Sequence, residues 1–351
     1  MTRVSGSVTK WLTRRATLSG LSGVVLLHVT GCTSSAQAGR FGTDSRIGAA
    51  KRGPVESRGA PRSARDTEAT EAVPVNEQPR PQAAVLPELA LPPRPVGAES
   101  GSAFLRRLEG MGRGAIDDQV IAAITIGNVP QHLRKLAAVE LSQDGVVRGR
   151  LFVTKDYLAI GSDDDFMRMP MTSAAAQKIA DLLDATLPTP RIVDLIYEQA
   201  AVRLPPSYID GGPTDDSLVD FQVHQAKLES RRKAGNYPLD ALTAGHKKDI
   251  VLSTRLAERD DRVAIYGWHK KRGDVIQSLS CKHSCRYADY SHGVRIVAQA
   301  MTLDGKQRRV SDVLADSDEA SLLSDEGPLP ILVYSTELPQ YAPPAKKKRA
   351  K

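Results

Sequence analysis

Between Cys281 and Arg295 the chain reads CKHSCRYADYSHGVR, with two cysteines, two histidines, two tyrosines, an aspartate and two arginines in fifteen residues. Imidazole, carboxylate and phenol together are the groups of acid–base chemistry. The carboxylate fixes the imidazole tautomer and the histidine moves the proton. Asp289 and His292 are three apart, so their side chains meet if DYSH makes a turn. Gly293 follows, and would give the backbone freedom to leave that turn for the strand VRIVA. The spacing predicts His292 as general base or metal ligand, with Asp289 setting its orientation. Tyr287, Tyr290 and Arg295 then bind substrate, Arg295 as a fork for carboxylate or phosphate. The competing reading is structural: the pair only ties the loop.

Five of the seven histidines lie between His224 and His292. His246 in TAGHKKDIV and His269 in IYGWHKK join His283 and His292 at strand ends and loops, where reactive side chains converge. His246 and His269 are therefore further catalytic candidates, with Lys248 and Trp268 as further substrate contacts. Lys247, Lys248, Arg286 and Arg295 suit an anionic substrate, against the alternative of a solvated rim. Zinc is the second chemistry open to this set. Its ligands would be His283, Asp289 and His292, or an Asp289–His292 pair completed by His246 or His269. His283 and Asp289 would lie about 20 Å apart on an extended strand, so they share an ion only if CKHSC folds back.

Cys281 and Cys285 would sit about 13 Å apart on a straight strand, too far to bridge. A disulfide between them requires a turn, and the expectation is a tight stapled loop. The remaining cysteine, Cys32, closes VTGC after the short apolar run Leu18 to Val29. That run is too short to span a bilayer. VTGC resembles the lipobox of bacterial lipoproteins, and TRRATL, Thr13 to Leu18, resembles a twin-arginine export signal with Thr17 where an aromatic is usual. The resemblance implies a signal segment over 1–32, a lipid on Cys32 and anchoring to a membrane at the cell envelope. In that oxidising compartment disulfides persist.

Residues 33–100 hold nine of the 22 prolines and one aromatic, Phe41. Such a segment buries little apolar surface, so it is expected to be a disordered tether. The end, PPAKKKRAK, makes 341–351 a basic tail. With the net charge of +7, it suits anionic envelope polymers or lipid head groups rather than nucleic acid.

The folded part is expected over 101–340, as one domain or as subdomains 101–210 and 211–340. SAFLRRLEGM, DDQVIAAITI and VPQHLRKLAAVEL read as helices. VVRGRLFVT, DYLAIGS and FMRMPMT read as strands. Three longer helices follow: TSAAAQKIADLLDATL capped by Thr172 or Ser173, TPRIVDLIYEQA with an early Pro190, and DSLVDFQVHQAKLESRRKAG closed by Gly235. Then come the strands DIVLST, RVAIYGW, DVIQSLS and GVRIVAQAM, and a late helix or pair of turns in VSDVLADSDEASLLS. Helices and strands come in runs, which argues α+β with a mixed or mainly antiparallel sheet.

The series KKDIVLS, RVAIYGW, DVIQSLS and GVRIV resembles the strands of the NlpC/P60 cysteine peptidases, which cut peptidoglycan stems. The resemblance implies a papain- or NlpC-like topology. Arg262 stands where that family's catalytic histidine would begin its strand, and Ser217 where its cysteine turn would be. TAGHKKDIV, VAIYGWH and YADYSHGVR are also similar to phrases in uncharacterised exported bacterial proteins, which imply no activity. Two functions remain: a tethered envelope hydrolase acting on peptidoglycan or an anionic polysaccharide, or a non-catalytic lipoprotein binding an envelope polymer or partner.

Overall fold

The computed structural model describes residues 86–211, 217–329 and 333–337. Cys32, the signal segment, the tether up to residue 85 and the basic tail lie outside them. Helix α1, Gly101–Arg107, starts at Ser100, whose hydroxyl accepts from the Ala103 N–H. Helix α2 spans Arg113–Thr125, and α3 is a single turn, Gln131–Arg134. The longer helix expected over VPQHLRKLAAVEL stops there, because Ala137–Gln143 is strand β1. It pairs antiparallel with β2, Val146–Val153. Asp144 and Gly145 make the connecting turn at φ 50° and 78°. Asp-Gly with both φ positive is a strong hairpin signal, and it overrides the helical spacing of the preceding leucines.

A second hairpin pairs β3, Ala159–Gly161, with β4, Phe166–Arg168. Helix α4, Ser173–Leu182, is capped by Thr172, and the short strand β5, Ala185–Thr186, follows it. Helix α5, Pro190–Gln199, has Thr189 as cap and Pro190 in its first turn, where the missing N–H costs little. Strand β6 is Val202–Arg203. Helix α6, Leu218–Ala234, closes at Gly235 as expected, and Ser217 is its cap.

Strands β7, Thr243–Ala244, β8, Lys248–Ile250, β9, Ile265–His269, and β10, Val275–Ser280, come next. The expected strand GVRIVAQAM is broken into β11, His292–Gly293, β12, Val297–Ala298, and β13, Ala300–Leu303. Strand β14, Lys306–Arg309, leads into helix α7, Val310–Ala315.

These pieces serve different sheets. A six-stranded sheet has the order β14-β13-β2-β12-β5, with β1 on β2, and a four-stranded sheet has the order β10-β9-β8-β11, beside the two-stranded pairs β3–β4 and β6–β7. In the four-stranded sheet β11 is parallel to β8, with His292 opposite Lys248 and Gly293 opposite Asp249. The class is α+β with mainly antiparallel sheets, as expected. A division at residue 210 does not hold, because β2 pairs with β12 and β13 across it.

The expected tether also ends earlier than residue 100. Leu89 is buried and its N–H donates to the Arg134 carbonyl. Arg94 donates to Asn128 Oδ1 (2.9 Å) and to the carbonyls of Gly161 (2.9 Å), Ala98 (2.8 Å) and Glu99 (3.0 Å). Composition averages hide this, because two leucines and one arginine suffice to dock a proline-stiffened segment. Arg94→Ala is expected to cost about 1–3 kcal/mol of stability, since it leaves several acceptors unpaired. Urea denaturation measures it; an unchanged midpoint would refute the docking role.

Candidate functional site on the two faces of strand β8

Successive residues of a strand face opposite sides, so Lys248 and Asp249 look into different surroundings. The neighbouring strand β9 is irregular where it passes them. Gly267 has φ 108° and Trp268 has φ 60°, unusual for so bulky a side chain. Trp268 is held by its N–H to the Lys247 carbonyl (3.1 Å) and its indole N–H to the His246 carbonyl (3.2 Å). Lys248 Nζ lies 4.7 Å from the indole centroid, and the exposed Tyr208 packs 4.8 Å from the indole ring.

Asp289, His292, His283, Tyr287, Lys248 and Trp268 gather on the Lys248 side. Asp289 Oδ1 accepts from the Ser291 N–H at 2.7 Å and from its hydroxyl, closing the turn that the spacing predicts. Asp289 Oδ2 is 3.9 Å from His292 Nε2, beyond hydrogen-bond reach. Burial, opposed by Asp289, pulls His292 well below the ordinary imidazole value, so the ring is neutral at neutral pH. Both its nitrogens are buried without a hydrogen-bond partner among the described residues. Half-buried His283 and Tyr287 stack at 4.2 Å and present their edges to His292, at 6.2 and 5.5 Å. Gly293 serves space rather than backbone freedom: a Cβ there would lie 2.5 Å from the Tyr157 ring.

No protein-family model, curated protein or solved structure matches this chain.

The other predicted residues lie elsewhere. His246 Nε2 is 3.2 Å from Asp156 Oδ1, and Asp156 Oδ2 receives Arg168 Nη2 at 2.6 Å. Arg168 also reaches half-buried Glu229 (2.8 Å) and buried Gln225 (3.1 Å), so the network is closed around the arginine. Arg295 does not share an opening with Tyr290. It donates to the carbonyls of Thr154 (2.7 Å) and Thr243 (2.8 Å) and lies 4.4 Å over the Tyr157 ring. Tyr290 is buried, its hydroxyl accepting from the Ile209 N–H at 3.2 Å. Lys247 Nζ donates to the Tyr290 carbonyl at 2.7 Å, and burial and Arg168 push its ammonium down to about 7. His269 Nε2 is 3.0 Å from Asp194 Oδ1, and the Tyr266 hydroxyl donates to Asp194 Oδ2 at 2.9 Å. Among the described residues no three His, Cys, Asp or Glu side chains converge to hold a metal ion, so the expected zinc shell does not form.

The expected disulfide is absent too: Cys281 and Cys285 are separate buried thiols. Their segment is drawn out rather than folded back. The Arg262–Ser284 bridge and the Val263 N–H to His283 carbonyl bond (3.1 Å) lay it along residues 262–263. Ser217 caps α6, accepting from the Asp220 N–H at 3.1 Å, and Arg262 donates to the Lys282 carbonyl at 3.0 Å. Neither stands in a nucleophile–base pair.

Sequence reasoning passed over Asp156, Arg168, Asp194 and Asp249. Arg168 carried a signal, a lone cation in the apolar FMRMPM. Asp249 carried another, because in KKDIV it precedes an apolar run and cannot stay in water.

Burial pushes Asp249 up to about 6, with Arg295 and the Tyr157 hydroxyl (2.8 Å) opposing. A carboxyl whose folded pKa exceeds its unfolded value makes the fold lose stability as pH rises between them. Two units correspond to about 3 kcal/mol. Asp249→Asn should therefore flatten the stability profile between about pH 4 and 6 relative to the parent. Denaturation at stepped pH checks this, and parallel profiles would contradict it.

Burial raises both thiols as well. In a Cys32→Ser chain, two thiols should react with a chromogenic disulfide reagent only on unfolding. Fast native labelling, or none in denaturant, would show a different arrangement.

Proposed function

We propose that the chain is an exported, lipid-anchored protein of the cell envelope. Its folded unit is a hydrolase acting on peptidoglycan or an anionic polysaccharide through His292 and Asp289. The observation that carries this reading is the condition of His292. It is a buried imidazole held in its basic form, with both nitrogens unbonded among the described residues and a carboxylate 3.9 Å away. Buried polar atoms are normally paired, and unpaired ones concentrate where chemistry is done.

In this reading the target is an amide or ester bond of the polymer. His292 takes the proton of the attacking water as its oxygen bonds the carbonyl carbon, then gives that proton to the leaving group as the acyl bond breaks. Asp289 offsets the charge of the imidazolium between the two steps. Lys248 supplies positive charge to the developing oxyanion, and Trp268 and Tyr287 supply aromatic walls. The half-buried His283–Tyr287 stack swings aside to admit the polymer. Lipid on Cys32 and the segment after it hold the unit at the membrane within reach of the wall. The basic tail adds attraction to anionic polymers; nucleic acid is not a partner.

The second reading is a non-catalytic lipoprotein that binds an envelope polymer or partner. It is favoured by one observation: Asp289 and His292 expose 1% and 0% of their surface.

Purified chain incubated with peptidoglycan and acidic polysaccharides, with products followed by mass spectrometry, separates the two. His292→Ala should abolish turnover with the melting temperature within a few degrees of the parent. Asp289→Asn should lose most activity. Because His292 is lowered, the acid limb of kcat/KM should lie below the ordinary imidazole value of about 6.5. If the pair is only structural, each change should cost about 1–3 kcal/mol and activity should follow the folded fraction. A stable, fully active His292→Ala chain would end the hydrolase reading.

A further inference from the structure

Helix α5 buries Ile192, Val193, Ile196 and Tyr197 and turns Arg191, Asp194, Leu195 and Glu198 outward. Two cavities open along that outward face. One, of about 410 Å³, is lined by Asp194, Glu198, Tyr266 and His269 and by the cations Arg203, Lys271 and Arg272. The other, of about 550 Å³, is lined by Asp194, Leu195 and Glu198 and by Glu140, Arg191 and Asp325. Asp194 and Glu198 line both, so the cavities adjoin along one wall. Each has the size of a small-ligand site.

The common wall is built, not incidental. Asp194 has one oxygen 3.0 Å from His269 Nε2 and the other bonded to the Tyr266 hydroxyl at 2.9 Å. His269 is almost wholly buried and stacks on Tyr197 at 4.2 Å and 12°. The far side of the wall is braced by Arg203, 5.1 Å over the Tyr197 ring and bonded to the Tyr197 carbonyl at 3.0 Å. These contacts occupy both oxygens of Asp194 and fix the shape of the boundary.

The charges left over are polarised. At one end Lys271 and Arg272, exposed at the β9–β10 turn, have no ion-pair partner among the described residues. In the middle the Glu198 carboxylate is exposed and unpaired among them. At the far end Glu140 pairs with Arg150 (3.3 Å) and Asp325 with Arg191 (3.2 Å), so these four charges balance and Glu198 is the carboxylate left over. Half-exposed Leu195 supplies an apolar patch between.

We propose that the two adjoining cavities form one groove along α5 that binds a short peptide with a free carboxylate and a free ammonium group. The carboxylate sits against Lys271 and Arg272, the ammonium against Glu198, and a small apolar side chain on Leu195. A simple anion would leave Glu198 unused, and a simple cation would leave Lys271 and Arg272 unused. This site lies apart from His292 and does not depend on hydrolysis there.

Isothermal titration of the full chain with trialanine, its C-terminal amide and its N-acetyl form tests the groove. Free trialanine should bind at least fivefold tighter than either blocked form. Lys271→Gln/Arg272→Gln should remove the preference over the amide while keeping the preference over the acetyl form. Glu198→Gln should do the reverse. All three residues are on the surface, so melting temperatures should match the parent. No saturable binding of trialanine, equal affinity for all three peptides, or variants that keep both preferences would overturn the proposal. Peptide binding by a chain without hydrolytic activity would support it and remove only the hydrolase reading.

Discussion

A guanidinium with 1% of its surface exposed must find its partners inside the protein, and Arg295 finds them in three separate segments. It bonds the Thr154 carbonyl at the end of β2, the Thr243 carbonyl in β7, and covers Tyr157, with Nε 3.9 Å from Asp249 in β8. The six-stranded sheet contains β2 and the four-stranded sheet contains β8. Arg295 is therefore the charge through which the two sheets meet. The flanking backbone agrees: the Ile296 carbonyl accepts from the Thr154 N–H at 2.9 Å, and the Val294 carbonyl from the Leu158 N–H at 2.8 Å. Deleting one partner of such a buried group commonly costs about 3–5 kcal/mol, because the other charge stays behind unpaired. The broken strand after His292 follows from this. A regular strand cannot supply one sheet, turn Arg295 into the interface and then supply the other.

The same burial sorts the histidines. His246, beside Asp156, is lowered by burial although the carboxylate opposes it, and its ring edge meets Tyr157 at 5.0 Å. That carboxylate is already shared with Arg168, so His246 reads as packing within a closed ionic network. His224, beside Tyr290 at 4.9 Å, is also lowered, by burial and then by Lys247. His292 differs from both in its setting. Its carboxylate is not claimed by an arginine, a lysine lies beside it in register, and two half-buried rings, His283 and Tyr287, pack against it. Three imidazoles lowered by one physical cause thus have three different chemical prospects.

Much of the fold was legible where its signals are local. Thr172, Thr189 and Ser217 cap helices because a cap needs only the next three residues. The β1–β2 hairpin was legible in Asp144–Gly145 but was outvoted by leucine spacing that suits a helix equally well. Residues 86–100 were hidden by composition, since docking them needs partners at 128, 134 and 161 that no local window contains. The site divides the same way. Asp289, His292, His283 and Tyr287 come together because one loop carries them all. Lys248 and Trp268 join through strand pairing. Arg295 and Tyr290, in the same stretch of sequence, are sent elsewhere by contacts to residues 154, 243 and 209.

Register is the remaining constraint on the site. Two residues of parallel pairing, His292 with Lys248 and Gly293 with Asp249, decide which side chains share a face. A slip of one residue would carry Lys248 to the face of Asp249, because side chains alternate. So short a ladder cannot hold its register by backbone bonds alone. Gly293 holds it instead: the Tyr157 ring lies where any side chain would begin, and the Tyr157 hydroxyl is bonded to Asp249, the residue opposite. A glycine, an aromatic ring and a buried carboxylate therefore act as one key, and the key fits in one register only. The position of the His292 imidazole beside Lys248 is a consequence of packing on the opposite face of the sheet.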